Sequence, residues 1–400
     1  MLFSLGLLFL VGLSMASLCE KIKCPRIIGM LICGVVLGPY VLDLFDPQLL
    51  NISTELRQIA LVIILLRAGL SLDISQLKEV GVSALLMGFL PASFEIVAYY
   101  FFAPIILGIT HVEALVMGAV LSAVSPAVVL PRMLNLIEQG YGTKKRIPHI
   151  LLTGASLDDI FVIVLFSTFT AMASGSAVSV FSLLDVPISI ITGIALGASI
   201  GIGLGYLLEK AHAKHKTVRN SKKILIILGL AFLLLSLEKI LPFPFSGLLS
   251  VVSMALAYKN KTILSVSQRL AQKFNKLWIA AEIILFVLVG ATVNISYAFQ
   301  AGFSAILMIV VGLCIRAIGV LLSLIGTPLN AKEKLFCVIA YLPKATVQAA
   351  IGSVPLAMGL PCGELVLTVA VLSILLTAPL GAVGIDYSYK KILEKETIIN

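Results

Sequence analysis

The sequence predicts an all-α polytopic membrane protein built on an inverted-topology repeat. The 400-residue chain is 60% hydrophobic and only 12% charged, with a mean hydropathy of +1.10. A soluble domain carries about twice that charged fraction. One apolar run after another reaches the ~20 residues that a helix needs to cross a bilayer. In addition, motifs in the first half of the chain recur in the second half.

We predict about thirteen transmembrane helices. The first span lacks the basic segment of a secretory signal, so we keep it as a membrane helix. The approximate bounds, in chain order, are 2–19, 26–44, 56–72, 79–108, 111–134, 147–174, 181–208, 222–240, 242–258, 276–295, 298–326, 332–359 and 363–385.

Lysine and arginine give the orientation of these helices. Most of the 29 basic residues fall in alternate connections such as 132–146 and 259–276, whereas the other connections hold only Arg57 and Lys239. By the positive-inside rule, the N-terminus lies outside and the C-terminus in the cytoplasm, in the cell (inner) membrane if the source is bacterial. The net charge of +9 therefore reflects topology and not a nucleic-acid site.

The repeat has a constant offset of 221 residues. The motif "GLSLDI" matches "GATVNI", Glu95 in the fourth span matches Arg316 in the eleventh, and Ser125 matches Thr346. An offset of seven spans is odd, so matched helices cross the membrane in opposite directions. Such inverted repeats are typical of secondary transporters.

Spans five and twelve are interrupted at corresponding places. The interrupting residues are Ser125, Pro126 and Pro131 in one span and Pro343, Gly352 and Pro355 in the other. Proline kinks a helix, and unwound backbone at membrane depth is tolerated only beside protein or a water-filled cavity. The pattern predicts two crossing interrupted helices with a central ion site.

Two adjacent carboxylates lie in the sixth span, in "LLTGASLDDIFVIVLF". Asp158 is ~18 Å along its helix, near mid-membrane, and Asp159 points ~100° away, so both can face one cavity. A proton and a cation can compete for such a carboxylate, which is a sufficient mechanism for exchange. The alternative is an acid pair neutralised by a nearby lysine. Ser122, Ser125 and Thr153 could supply neutral oxygens to a cation.

Other charges inside the predicted spans need partners, because an isolated buried charge costs several kcal/mol. Glu95 and Arg316 occupy repeat-related positions and are predicted to pair as a brace. Lys344 either counters the C-terminal dipoles of half-helices or pairs with Asp158. Arg67 is a possible accessory charge whose role is open.

Four strings together resemble the cation:proton antiporter superfamily: "SLDD", "SAVSPAVVLP", "LLRAGLSLD" and "YLPKATVQAAIGS". The double-aspartate branch is most similar, in its bacterial and animal NHA-type sodium/proton antiporter subgroup. The resemblance covers essentially the whole chain and implies the Na⁺/H⁺ antiporter fold. It implies panel helices at 1–75 and 222–297, a core at 76–175 and 298–388, a linker at 176–221 and a short cytoplasmic tail at 389–400.

The resemblance also implies site roles. Asp159 is the principal carrier of the cation, Na⁺ or Li⁺, and of the proton, and Asp158 lies beside it. The core moves like an elevator against a panel that forms a homodimer, and no cofactor is needed. Many members pair a core lysine with the first aspartate. Here Arg316 lies on that helix, and its pairing with Glu95 alone would weaken the argument for a second transported proton.

The leading hypothesis is a secondary active antiporter that exchanges Na⁺ or Li⁺ for H⁺. The alternative is a sodium-coupled symporter of an organic anion, which uses related inverted repeats and would show sodium-driven uptake. An intramembrane aspartyl protease is disfavoured because it needs one catalytic Asp on each of two helices. The glycines at 193, 197, 201 and 205 have i, i+4 spacing, which predicts a helix-packing ridge and not a dinucleotide loop.

Overall fold

The chain folds almost entirely into α-helices in a computed structural model that describes residues 1–22, 24–71, 81–174, 182–213, 218–241, 243 and 245–396. The first helices are α1 (Leu2–Lys21), α2 (Arg26–Leu37), α3 (Pro47–Asn51), α4 (Ser53–Ser71), α5 (Val82–Met87), α6 (Leu90–Leu107), α7 (His111–Ser122), α8 (Pro126–Gln139) and α9 (Ile147–Ala173). They are followed by α10 (Ser182–Ala213), α11 (Asn220–Ile240), α12 (Gly247–Lys261), α13 (Leu264–Ala291), α14 (Ile295–Ser323), α15 (Ala331–Ala340), α16 (Thr346–Ile351), α17 (Val354–Ala357) and α18 (Gly363–Ile392). Within those residues, β-type pairing is limited to an isolated bridge between Tyr141 and Lys395.

Nine helical stretches in the described part of the chain are long and apolar enough to cross a membrane, by length and composition. Two shorter apolar stretches, Arg26–Leu37 and Thr346–Ala357, add to them. The all-α prediction is confirmed, whereas the number of thirteen spans is not confirmed. Residues 72–74 of the first repeat motif and residues 23 and 214–217 of two basic connections lie outside the described residues.

The first of two compact units comprises Met1–Thr54, Asp73–Val162 and Leu285–Asn400. In it α14 packs along α6, and α18 packs against α14 and α15. Glycine permits the first of these contacts, because a Cβ on Gly319 would stand 2.8 Å from the carbonyl oxygen of Leu90. This unit contains every predicted site residue except Arg67.

The second unit comprises Glu55–Leu72 and Ile163–Ile284. Here α10 packs along α12, and α12 also contacts α11. The predicted glycine ridge lies in this contact: a Cβ on Gly193 would stand 2.7 Å from the carbonyl oxygen of Ser246, and one on Gly197 would overlap that of Ser250. The ridge therefore packs helices, as its spacing predicts.

The predicted division into panel, core and linker stays a prediction. Its boundaries at 75/76 and 175/176 lie outside the described residues. The predicted tail at 389–400 begins inside α18, which continues to Ile392.

Two helices are broken where the sequence predicts it. Residues 123–125 separate α7 from α8, and residues 341–345 separate α15 from α16. The two breaks contact each other, because the N–H of Ser125 donates to the carbonyl of Pro343 at 2.7 Å. A further short break at 352–353 precedes Pro355, which lies in the first turn of α17.

The prediction that Pro131 interrupts its span is wrong. Helix α8 runs through this residue from Pro126 to Gln139. In a membrane protein, neighbouring groups can satisfy the backbone that a proline frees, so proline need not end the helix.

Candidate functional site

The end of α7 leaves carbonyl groups that have no partner within the helix. Side chains from other helices and from the second break donate hydrogen bonds to three of them. The pairs are Lys344 with Leu121, Arg316 with Ser122, and Gln348 with Ala123 (2.7 Å for the last). The negative end of the dipole of this half-helix is thus capped by two cations and an amide.

Most backbone N–H groups of the two breaks are also satisfied. The donors and their acceptors are Val124 to Asp158 Oδ2 at 2.7 Å, Ser125 to Pro343 O at 2.7 Å, Lys344 to Thr377 Oγ1 at 2.9 Å, and Ala345 to Gln348 Oε1 at 2.8 Å. Unwound backbone is therefore tolerated here because protein groups surround it.

Arg316 forms ion pairs with two buried carboxylates. Its Nη1 donates to Glu95 Oε2 at 3.0 Å, and its Nη2 donates to Asp158 Oδ2 at 3.2 Å. Both carboxylates are fully buried, and the arginine is 1% exposed. The predicted pairing of Glu95 with Arg316 is thus present, but it does not exclude Asp158.

Lys344 pairs with Glu95, whose Oε1 lies 2.7 Å from Nζ. The same ammonium donates to the carbonyl of Leu121 in the last turn of α7. Of the two predicted roles, the structure supports the capping of a half-helix. No ion pair joins Lys344 to Asp158, so that alternative is wrong.

Several buried oxygens remain without a hydrogen-bond partner. They include Asp158 Oδ1, Asp159 Oδ1, Ser125 Oγ, Thr346 Oγ1 and the hydroxyl of Tyr341. Leaving a buried polar group unpaired costs ~1–3 kcal/mol, so each such group needs an explanation. Ser125 and Thr346 occupy repeat-related positions where α8 and α16 begin.

The other predicted site residues lie as follows. The hydroxyl of Ser122 donates to Ala119 O at 3.2 Å, so it is engaged within its own helix. Thr153 is buried on α9. Arg67 belongs to the second unit, where its guanidinium carbon lies 5.9 Å from the ring centre of Trp278. The roles of Thr153 and Arg67 stay predictions.

Sequence reasoning did not assign a role to Gln348, Tyr341, Thr346 or Thr377. Thr346 was matched to Ser125 by the repeat offset, and that match was the available signal. Gln348 is an uncharged polar residue in an apolar segment next to a break. Within the described residues, no group of three or more His, Cys, Asp and Glu side chains could hold a metal ion.

The sequence from residue 5 to residue 386 matches the family described as sodium/hydrogen exchanger, transmembrane. The chain belongs to the sodium/hydrogen exchanger family. Among similar exchangers, sodium/hydrogen exchanger 9B2 of Homo sapiens is 34% identical, over 98% of this chain and 75% of that protein. Sodium/hydrogen exchanger 9B1 of Homo sapiens is 31% identical, over 95% of this chain and 76% of that protein.

The exchanger fold is also seen in a solved structure. The sodium proton antiporter MjNhaP1 from Methanocaldococcus jannaschii, determined at pH 8, matches with a TM-score of 0.81. The match covers 97% of each chain at 23% sequence identity, and it shows the fold. The predicted superfamily and antiporter fold are confirmed. Membership makes this exchanger a multi-pass membrane transporter of cations and protons, and not an enzyme.

Proposed function

We propose that this chain exchanges Na⁺ or Li⁺ for H⁺ at the pair Asp158 and Asp159. The observation that carries the proposal is the unpaired, buried oxygen Oδ1 on each carboxylate. Asp158 also accepts from Val124 in the first of the two helix breaks, which contact each other. Buried oxygens without a donor are suited to bind a cation or a proton.

Asp159 is the principal carrier in this proposal, and Asp158 is the second ligand. The free hydroxyls of Ser125 and Thr346 complete an oxygen-only ligand set, which is the kind that hard cations prefer. A protonated carboxyl has lost the charge that attracts a cation. Proton and cation therefore occupy the site in turn, and this alternation drives exchange.

Transport by elevator-type alternating access is part of the proposal, as is a homodimer. The support is the antiporter fold and the resemblance described above. The distribution of basic residues supports an outside N-terminus and a cytoplasmic C-terminus.

The test uses the purified protein in liposomes with a proton gradient and a pH-sensitive dye inside. Na⁺, Li⁺, K⁺ and choline are added in turn, with and without an imposed membrane potential. Asp159→Asn is compared with Asp386→Asn, which removes a half-exposed carboxylate paired with Arg132 at the surface. We expect Na⁺ and Li⁺ to move protons in the wild type and in Asp386→Asn only.

Two results would contradict the proposal in different ways. Cation-dependent proton movement that persists in Asp159→Asn would refute the assignment of the carrier. If no cation moves protons in the wild type, exchange itself is refuted, and sodium-driven uptake of an organic anion becomes the reaction to test.

A further inference from the structure

Two cysteines meet where α1 ends and the chain turns into α2, and the proposed exchange uses neither of them. Cys19 lies in the last turn of α1, and Cys24 lies in the connection just before α2. Both are free thiols. Cys19 is 7% exposed, whereas Cys24 is only partly buried.

The two thiols are in contact. The S–H of Cys24 donates a hydrogen bond to Sγ of Cys19, which also accepts from the backbone N–H of Gly29 in α2. The two side chains therefore point toward each other, and the buried sulfur is held in place by donors from both sides of the turn.

The backbone also keeps the two residues within reach of a disulfide. The N–H of Cys24 donates to the carbonyl of Cys19 at 2.8 Å. With ordinary bond lengths, such a hydrogen bond keeps the two Cα atoms at most ~6.7 Å apart, and disulfides span Cα separations of ~4.4–6.8 Å. A bond between the sulfurs therefore needs rotation of the side chains and no new course of the backbone.

We propose that Cys19 and Cys24 form a redox modification site that reacts with low-molecular-weight disulfides of the glutathione class. The thiolate of Cys24, the more exposed residue, attacks one sulfur of the small disulfide and releases the first small thiolate. The thiolate of Cys19 then attacks the Cys24 sulfur of the mixed disulfide and releases the second. The protein thiols are oxidised to a disulfide, the small disulfide is reduced, and the two protons pass to the released thiolates.

The location of the pair agrees with this chemistry. The connection carries Lys21 and Arg26, so the positive-inside rule places it on the cytoplasmic side, where glutathione is the main thiol buffer. Disulfides in that compartment are usually transient and redox-sensing. Free cysteines that serve only as packing are buried small hydrophobes, whereas Cys24 is accessible and has a second thiol beside it.

The test is oxidation of the purified full-length protein, first fully reduced, by an excess of oxidised glutathione. Burial raises the pKa of the Cys24 thiol. Because the thiolate is the attacking species, the incubation runs at about pH 8.5 for several hours. Remaining thiols are then alkylated, and the protein is digested with trypsin. Trypsin cleaves after Lys21 and Lys23, so Cys19 and Cys24 leave on separate peptides unless a disulfide joins them.

We expect mass spectrometry to find these two peptides linked, and a reductant to separate them. Cys19→Ser should trap glutathione on Cys24, because the thiol that resolves the mixed disulfide is missing. Cys24→Ser should give no linked peptides. Cys314→Ser is the matched control, since it removes an exposed thiol elsewhere in the chain, and it should give the same linked peptides as the wild type.

Three results would overturn the inference. They are alkylation of both cysteines in the oxidised wild type, glutathione that stays on Cys24 in the wild type, and linkage of either residue to a different cysteine. The readout is covalent, so each result can be obtained whether or not the proposed exchange is correct.

Discussion

Gln348 connects the two helix breaks, and its replacement by leucine tests whether their backbone needs a polar partner. The side chain is fully buried. Its Nε2 donates to Ala123 O at 2.7 Å in the first break, and its Oε1 accepts from Ala345 N at 2.8 Å in the second. Leucine has a similar size but offers neither bond. One carbonyl and one N–H are then left unpaired.

The expected loss of stability follows from the carbonyl and the N–H that Gln348→Leu leaves unpaired. Interhelical hydrogen bonds in membranes average ~0.6 kcal/mol in double-mutant cycles, which gives about 1 kcal/mol for the pair. Leaving buried groups unpaired costs ~1–3 kcal/mol each, or about 2–6 kcal/mol together. We expect the larger value because residues in a break cannot re-form helical bonds. Domains of 150–250 residues lose ~2–4 °C per kcal/mol, so the melting temperature should fall by about 4–24 °C.

The assay is thermal unfolding of the detergent-purified protein, followed by Na⁺-dependent exchange in liposomes. Gln139→Leu is the control, because Gln139 donates to Asn135 in its own helix at an exposed position. That control should stay within ~0.5 kcal/mol of the wild type. A melting temperature of Gln348→Leu within about 1 °C of the wild type would show that the breaks do not depend on this amide.

Two further predictions concern Gly381 and Lys145, which both lie in the first unit. The Cβ that Gly381→Ala adds would overlap the ring of Pro343, so we expect the free energy of unfolding to fall by ~1–3 kcal/mol and exchange to slow. A Cβ at Gly229 would meet open space, so Gly229→Ala should not lower the melting temperature. Lys145 donates to the carboxylate of Glu333 at 2.8 Å, and this bond raises the pKa of Lys145 from its ordinary value of 10.5. A raised lysine pKa stabilises the fold below the ordinary value and loses that effect as pH rises past the raised one. The difference in melting temperature between the wild type and Lys145→Met should therefore be constant from about pH 7 to 9, and it should disappear as the pH rises above about 10.5.

The features predicted from sequence are those that the repeat constrains. An offset of 221 residues separates Glu95 from Arg316, and the two side chains form an ion pair. The same offset relates Ser125 to Thr346, which begin the helices after the two breaks. A buried charge needs a partner, and the repeat restricts where that partner lies. Pairing and interruption were therefore predictable without a structure.

Features that depend on the approach of distant segments were not predictable. The interruption at Pro343 predicted that Lys344 lies in a break, but it did not decide whether Lys344 pairs with Asp158 or with a half-helix end, because both are remote in the chain. The amide of Gln348 bonds one backbone group 225 residues earlier in the chain and another three residues earlier. Only the folded arrangement brings such groups together.

The charges of the buried network explain why exchange would be obligatory. Three carboxylates, Glu95, Asp158 and Asp159, are balanced by two cations, Arg316 and Lys344, so the fully ionised network carries one net negative charge. An uncompensated buried charge costs several kcal/mol. Under the proposed function, one Na⁺ or one H⁺ removes that charge. The empty site is then the costly state, and the two loaded states are neutral. A carrier whose empty state is disfavoured returns across the membrane only when the other ion is bound, and this couples the two fluxes.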